Sequence, residues 1–414
     1  MSATTELGPK SRTPPPISVA AARREMLSHI APLGAEEVPV DGRAAGRVLA
    51  GDVVAEVLLP PWDNSGMDGY AVRAADVGQV PLRLPVVGEM AAGMAPGTVG
   101  IVAGTCAKVM TGAPLPGGAD TVIPYEWTDR GETEVLIRER PELGNAVRRA
   151  GEDLSPGDLI LARGHRLRPT DLAPLAASGR GTVSVARRPR VAVVTTGDEI
   201  QPPGTTLGPG EIYDTAGPAL EALIAAAGGN LQLRLRVGDD PDQVEQVLRQ
   251  AAAAAELVVT VGGVSVGDHD HVRATVERLG RLRLWRVAMR PGRPIAFGEM
   301  DGSLFLGLPG NPVSATVTFI LFGASCLLAL QGASATAPLT QFAELLEEIE
   351  KPEGLETFHR AELRPRPHQL PGVRLAGSQS SGATLSLARA EALLVLPAPP
   401  AKLEQGAVVE IIPL

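Results

Sequence analysis

Between Val261 and Ser314 the chain packs three glycine-punctuated loops. They are Gly262-Gly263-Val264-Ser265-Val266-Gly267-Asp268-His269-Asp270, Arg290-Pro291-Gly292-Arg293-Pro294 and Gly307-Leu308-Pro309-Gly310-Asn311-Pro312. Without a Cβ, backbone N–H groups can approach a phosphate-like oxygen, and loops with positive φ form anion-binding concavities. Asp268 and Asp270 can hold a hard cation such as Mg2+, which takes one or two carboxylates beside phosphate oxygens and waters. Arg290 and Arg293 can clamp tetrahedral oxyanions bidentately. The chemistry these residue types imply is an anionic ligand held together with a metal ion. Glycine loops also close many strand-to-helix turns for structural reasons alone, so the surrounding elements must decide.

From Arg190 those elements follow an α/β grammar. Val191-Ala192-Val193-Val194-Thr195 is the continuous apolar run of a strand buried on both faces. Pro218 to Ala227 predicts a helix stopped by Gly228-Gly229, and Leu231 to Val237 returns as an alternating strand. Asp240-Pro241 supplies an N-cap and first-turn proline for a helix running to Ala255, and Leu257 to Val261 is the next strand. Strand, helix, strand, helix in this order builds a parallel sheet with right-handed crossovers. Ligands in such sheets bind beyond the carboxyl ends of the strands. Thr196-Gly197-Asp198-Glu199 and the loop bearing Asp268 and Asp270 both fall there, so the fold itself brings Glu199 near Asp270.

With 414 residues, the chain is long enough for about three domains. Its 44% hydrophobic and 21% charged content is that of a globular, water-soluble protein, and with 3% aromatics the core must be built from Ala, Val and Leu. Met1 to Pro16 is polar and proline-rich, expected to be a disordered tail without the apolar stretch of a secretory signal. Ile17 to Ile30 suits a helix with Ser18 as N-cap. Residues 51–140, with short Val- and Leu-bearing runs broken by Gly and Pro, read as a mainly-β unit. That unit is inserted into a discontinuous N-terminal domain of residues 17–50 and 141–187, which includes a helix at Pro169 to Ser178. An α/β domain (188–335) and a C-terminal β domain (336–414) follow, so the fold class is multidomain α/β plus β.

Val313 to Leu330 carries no charge but holds Ser314, Thr316, Thr318, Gly323 and Ser325 and lacks flanking Lys or Arg, which favours a buried helix over a membrane span. The formal net charge of −9 opposes encounter with nucleic acid or an anionic membrane surface, so an anionic substrate must be captured by a local site. Cys106 and Cys326 can form neither a disulfide framework nor a thiolate zinc site, and read as reduced, buried thiols of a cytoplasmic protein.

Further motifs recur along the chain: Asp63-Asn64-Ser65-Gly66-Met67-Asp68-Gly69-Tyr70-Ala71-Val72, Met110-Thr111-Gly112-Ala113-Pro114-Leu115-Pro116, Gly151-Glu152-Asp153, and Leu308-Pro309-Gly310-Asn311-Pro312-Val313-Ser314-Ala315. With Thr196-Gly197-Asp198-Glu199, the GGVSVG loop and Pro291-Gly292, the chain from residue 17 to 414 resembles the molybdopterin molybdenumtransferase family, which is similar to the E domain of gephyrin. The resemblance implies insertion of molybdenum from molybdate into adenylylated molybdopterin, with Mg2+-dependent cleavage of the adenylate and release of AMP. A divalent ion to neutralise phosphate charge and a carboxylate to position it or activate water suit that reaction.

By the same resemblance, Glu199 and Asp270 serve metal binding and catalysis, with Asp268 as a further metal ligand and Asp239 behind them; Asp239 could instead cap a helix. Asp68 and Thr111 would act from a second subunit, since the family forms elongated homodimers with sites between subunits, and Asp153 is a further catalytic candidate. Read without the resemblance, Asp68 is a turn former and Asp153 a loop ion-pair partner. Substrate contacts would come from Gly197, Asp214, Gly262, Gly263, Ser265, Gly267, Arg290, Arg293, Pro309, Gly310 and Asn311. Arg360 and Ser381 would meet molybdate, although a solvated arginine and a flexible serine loop explain them equally well.

Three departures from the family pattern stand out. Arg290 and Arg293 replace lysines, in a chain with 34 arginines and four lysines. Arginine keeps the charge but cannot give up its proton. Asp214-Thr215-Ala216 lacks an asparagine at Ala216, and His271 stands where tyrosine is common. In an extended Asp268-His269-Asp270-His271 the two His point away from the two Asp, which argues against a zinc site. The alternatives to a molybdenumtransferase are a molybdopterin adenylyltransferase, otherwise the expected pathway partner, and a non-catalytic dimeric scaffold that binds the cofactor.

Overall fold

The computed structural model describes residues 16–264 and 271–414. The α/β unit is built on β1 (Arg190–Thr196), β2 (Asn230–Val237), β3 (Leu257–Val261), β4 (Gly280–Arg286), β5 (Pro294–Met300) and β6 (Ser303–Leu308). They form one sheet in the order β2-β1-β3-β6-β5-β4. The first four are parallel, as the sequence implied, and every residue of β3 is buried. β5 alone turns back: it is antiparallel to both β6 and β4, so β4 at the edge runs in the direction of the first four. Asp301 and Gly302 (φ 46° and 83°) join β5 to β6, and so short a turn permits only an antiparallel pair. The sheet is therefore mixed rather than wholly parallel.

Helices α1 (Ala216–Ala226), α2 (Pro241–Ala254) and α3 (His271–Leu279) flank it. Asp240 caps α2 by accepting the Gln243 N–H at 2.9 Å, with Pro241 in the first turn. The segment Pro312–Leu330 is long and apolar enough to cross a membrane, but 72% of it is buried within the protein. It contributes Val313, Phe319, Phe322 and Leu327 to the main core, and a wider π turn spans Phe319–Gly323.

The first described helix, Val19–Ser28, is capped as expected, Ser18 Oγ accepting from the Ala21 N–H at 3.2 Å. Its packing differs from the expectation. Val19, Ala22 and Met26 enter the core of the α/β unit beside Val191 and Leu327, not that of the discontinuous N-terminal unit. Periodicity had marked an apolar face; the cover for that face is the α/β sheet.

The N-terminal unit is closed by Ala35–Pro39 pairing antiparallel with Thr182–Ala186, over a core of Val38, Leu49, Leu167, Leu175 and Val183. Where the chain crosses into it, the Arg187 N–H donates to the Gly34 carbonyl at 2.9 Å. The inserted unit carries a five-stranded sheet, and its Asn64–Ser65 strand pairs with Val147–Arg148, a little past residue 140. In the C-terminal unit Gln341–Leu345, Glu356–Arg364, Gly372–Leu375, Ala392–Leu396 and Val408–Pro413 close into a barrel. Met289–Arg290 pairs with the start of Glu356–Arg364, which ties the Arg290 loop to the barrel rim. Cys106 and Cys326 are buried and unbridged.

Candidate active site

At the carboxyl ends of β1 and β3 opens a cleft of about 460 Å³. Its floor is made by turns that admit no side chain. Gly262 and Gly263 have φ of 89° and 65°, and a Cβ on either would overlap Thr196 Oγ1 or Val272. The Gly310 turn packs against Gly262, and the Gly262 N–H donates to the Leu308 carbonyl at 3.0 Å. Gly197, with φ 128°, forms the adjacent wall.

Carboxylates gather above these turns. Glu199 and Asp239 line the cleft, are exposed, and carry no side-chain hydrogen bond or ion pair among the described residues. Asp239 is not the helix cap, because Asp240 takes that role. Asp214 is nearly buried and accepts from the Gly217 N–H at 2.8 Å, so it caps α1 while lining the cleft. Asn311 lines the opposite edge with its side chain free of any capping bond, and Pro309 is buried beneath it. Ser265, Gly267, Asp268 and Asp270 lie outside the described residues.

A second hollow, about 330 Å³, holds Arg290, Gly292, Arg293, Ser314, Gln379 and Ser381. The two spaces flank the start of the Pro312 helix, where the Val313 N–H donates to the Ser381 carbonyl at 3.2 Å. Neither Arg290 nor Arg293 has an ion-pair partner among the described residues, so both guanidiniums are available to an oxyanion.

Arg360 is not a solvated arginine: it is 1% exposed. Its Nη2 donates to the carbonyls of Ser378 and Ser380 at 3.1 Å each and its Nε to Ser386 Oγ at 3.1 Å, so it clamps the serine loop that ends at Ser381. Burial lowers its pKa to about 10. Two neighbours that sequence reasoning missed share its small pocket, His359 and Gln379. Gln379 brackets the Arg360 backbone, accepting from its N–H at 2.9 Å and donating to its carbonyl at 3.0 Å. Only their spacing from Arg360 could have pointed to them.

Burial, then Arg360, Arg290 and Lys351, hold the His359 imidazole down at a pKa of about 4. The unfolded chain therefore binds this proton more readily than the folded one from about pH 6.5 down to about 4. Stability from the neutral ring is complete above that window and is lost as pH falls through it. In His359→Gln, urea midpoints should fall less steeply with acidification across the window than in wild type; identical slopes would refute this.

Asp68 and Thr111 sit apart, on the inserted unit. The Thr111 N–H and hydroxyl both donate to Asp68 Oδ1 at 2.7 Å, which holds the carboxyl below its usual range. Asp68 thus reaches across to another loop rather than closing its own turn. No residue of the inserted unit lines the cleft. Asp153 is exposed and makes no ion pair among the described residues; the loop tie there is Asp63 with Arg149, at 2.7 Å. Another hollow, about 580 Å³, lies at the other end of the sheet, where Glu256 is already paired with Arg187 and Arg190.

Comparison with known proteins matches residues 17–179 to the MoeA N-terminal region (domain I and II), 192–329 to a probable molybdopterin binding domain, and 343–414 to the MoeA C-terminal region (domain IV). The chain is 37% identical over 407 residues to a molybdopterin molybdenumtransferase of Synechococcus elongatus, covering 95% of this chain and 99% of that protein. It is 38% identical over 365 residues to molybdopterin molybdenumtransferase 2 of Mycobacterium tuberculosis, covering 86% and 89%. A crystal structure of the MoeA protein from Pyrococcus horikoshii superposes with a TM-score of 0.82 at 28% identity, covering 97% of this chain and all of that one. Another crystal structure, of a MoeA protein of Pyrococcus horikoshii, gives 0.77 at 32% identity, covering 96% and 99%. With all three regions present in order on one fold, the chain belongs to the molybdopterin molybdenumtransferase (MoeA) family.

Proposed function

We propose that this protein transfers molybdenum from molybdate into adenylylated molybdopterin and releases AMP, acting in the cytoplasm as a homodimer. The observation that supports this best is the pairing of the two spaces around the Pro312 helix, one with carboxylates above glycine turns and the other with arginines, all without ion-pair partners among the described residues. Backbone N–H groups at Gly263 and Gly310 suit the phosphates, while Arg290, Arg293 and the Ser381 loop suit a tetrahedral dianion.

The carboxylates of Glu199 and Asp239, unpaired among the described residues, are hard oxygen donors of the kind Mg2+ takes, and Asp268 and Asp270 of the adjoining loop would join them. When bound, the ion would neutralise charge on the phosphates. Glu199, exposed and uncommitted, can accept a proton or orient the attacking oxygen. Asp68 and Thr111 act from the partner subunit in this reading, because their own cleft does not include them. A molybdopterin adenylyltransferase supplies the adenylylated substrate.

The purified protein, given adenylylated molybdopterin, molybdate and Mg2+, should release AMP and form cofactor; no AMP would refute the assignment. Mixing an Asp68→Ala chain with a Glu199→Ala chain tests the shared site. Hybrid dimers would carry one intact site of two, so a random mixture should recover about a quarter of wild-type activity. Recovery of none, with hybrids present, would place Asp68 in its own subunit's site, and an active Asp68→Ala homodimer would place it in none.

A further inference from the structure

In a chain with only 3% aromatic residues, one tyrosine lines the cleft, and it does not lie alone. Ile200–Gln201 and Ile212–Tyr213 form a short parallel ribbon at its mouth, with Ile200 opposite Ile212 and Gln201 opposite Tyr213. Ile200, Ile212 and Tyr213 all line the cleft, and Ile212 and Tyr213 are 54% and 42% exposed. An apolar lip on an otherwise polar, glycine-floored cleft is surface left wet until something flat covers it.

The ribbon is held in place from behind. The Ile212 N–H donates to the Glu199 carbonyl at 2.8 Å and the Asp214 N–H to the Gln201 carbonyl at 2.7 Å. Arg236 donates to Gln201 Oε1 at 2.8 Å, and Gln201 in turn to Glu211 at 2.7 Å. The Tyr213 hydroxyl donates to the Thr205 carbonyl at 2.8 Å, so the phenol is committed to its own loop and what it offers a ligand is its ring.

We infer that Ile200, Ile212 and Tyr213 are the platform on which a planar heteroaromatic ring of the substrate rests. The inference builds on the proposed function, whose substrate carries two such rings, a purine and a pterin. Both present an apolar face with polar edges, and stacking one on an aromatic side chain contributes about 1–3 kcal/mol, roughly 5- to 150-fold in affinity. The ring would lie at the lip while the phosphates reach inward to the glycine turns. Because the ribbon joins Glu199 to Asp214 through main-chain bonds, seating the ring also fixes the carboxylate beside it.

The test is binding, measured by calorimetry on the full chain with AMP, ribose 5-phosphate and 6-hydroxymethylpterin phosphate. In an Ile212→Ser/Tyr213→Ala variant, at least one ring-bearing probe should bind about tenfold or more weakly, while ribose 5-phosphate binds as in wild type. Tyr213→Phe keeps the ring and should remain within about twofold. Loss confined to AMP assigns the purine, and loss confined to the pterin assigns the other ring. Equal losses for all three probes, or none for either ring, would overturn the platform while leaving the function standing. Wild-type protein that binds neither ring-bearing probe would overturn the function and the platform with it.

Discussion

Glu199→Gln should lower AMP release by about a hundredfold or more while leaving the unfolding midpoint almost unchanged. The two halves of that expectation come from one observation. The Glu199 carboxylate is exposed in the cleft and has no partner among the described residues, so the fold does not depend on its charge. Substitutions of this kind usually alter stability by no more than about 0.5 kcal/mol. Chemistry at a phosphoanhydride does depend on such a charge, whether as metal ligand or as proton acceptor. Gln keeps the shape and the hydrogen-bonding reach but not the charge, which separates loss of charge from loss of volume. Asp270→Ala is expected to match it, on the strength of the fold argument that brings its loop beside Glu199. A Glu199→Gln enzyme with near-normal turnover would remove this carboxylate from the reaction.

Arg360→Ala is expected to damage both stability and molybdate use. The guanidinium is 1% exposed and serves two carbonyls and a hydroxyl. Truncation strands those acceptors, each costing about 1–3 kcal/mol when left unsatisfied, and opens a cavity. A total destabilisation of about 3–5 kcal/mol follows, read as a lower urea midpoint. The serine loop would lose its clamp, and with it the Ser381 carbonyl that meets the Val313 N–H beside the arginine hollow. Arg360→Lys should be intermediate, because a point charge cannot bridge all three acceptors at once. In whatever Arg360→Ala protein folds, half-maximal transfer should need about tenfold more molybdate, roughly the loss of one charge-assisted contact. A wild-type urea midpoint would refute the clamp.

Much of this was legible in residue order. The strands at 191–195, 231–237 and 257–261, the Asp240-Pro241 helix start and the buried Pro312 helix all carry local signals strong enough to stand alone. The turn-back of β5 was legible too, in Asp301-Gly302, but the strand-helix order of residues 190–261, from which a parallel sheet was expected, does not reach it. What could not be read was which surfaces meet. A periodic pattern shows that Val19, Ala22 and Met26 share a face, not which domain covers it. Asp239 and Asp240 are chemically equivalent neighbours, and only the bond to Gln243 shows which one caps and which one remains free. Arg360 was recognisable by motif, while its burial depends on a loop closing over it from some twenty residues away.

The crossing at Gly34 and Arg187 bears on how the molecule can move. Two chain segments, side by side and hydrogen-bonded, join the discontinuous unit to the α/β unit, so the joint is a strap rather than a string. Two joined segments resist relative twist of the units more than a single segment of chain would. Arg166 Nη2 donates to the Ala226 carbonyl at 2.6 Å and the Ser334 N–H to the Gly164 carbonyl at 2.9 Å, latching the same seam. Each latch contributes roughly 0.5–1.5 kcal/mol to holding the two units in place. The position of Asp68 and Thr111 relative to the α/β unit is thereby set far from either residue, by a few hydrogen bonds at the root of the arm that carries them.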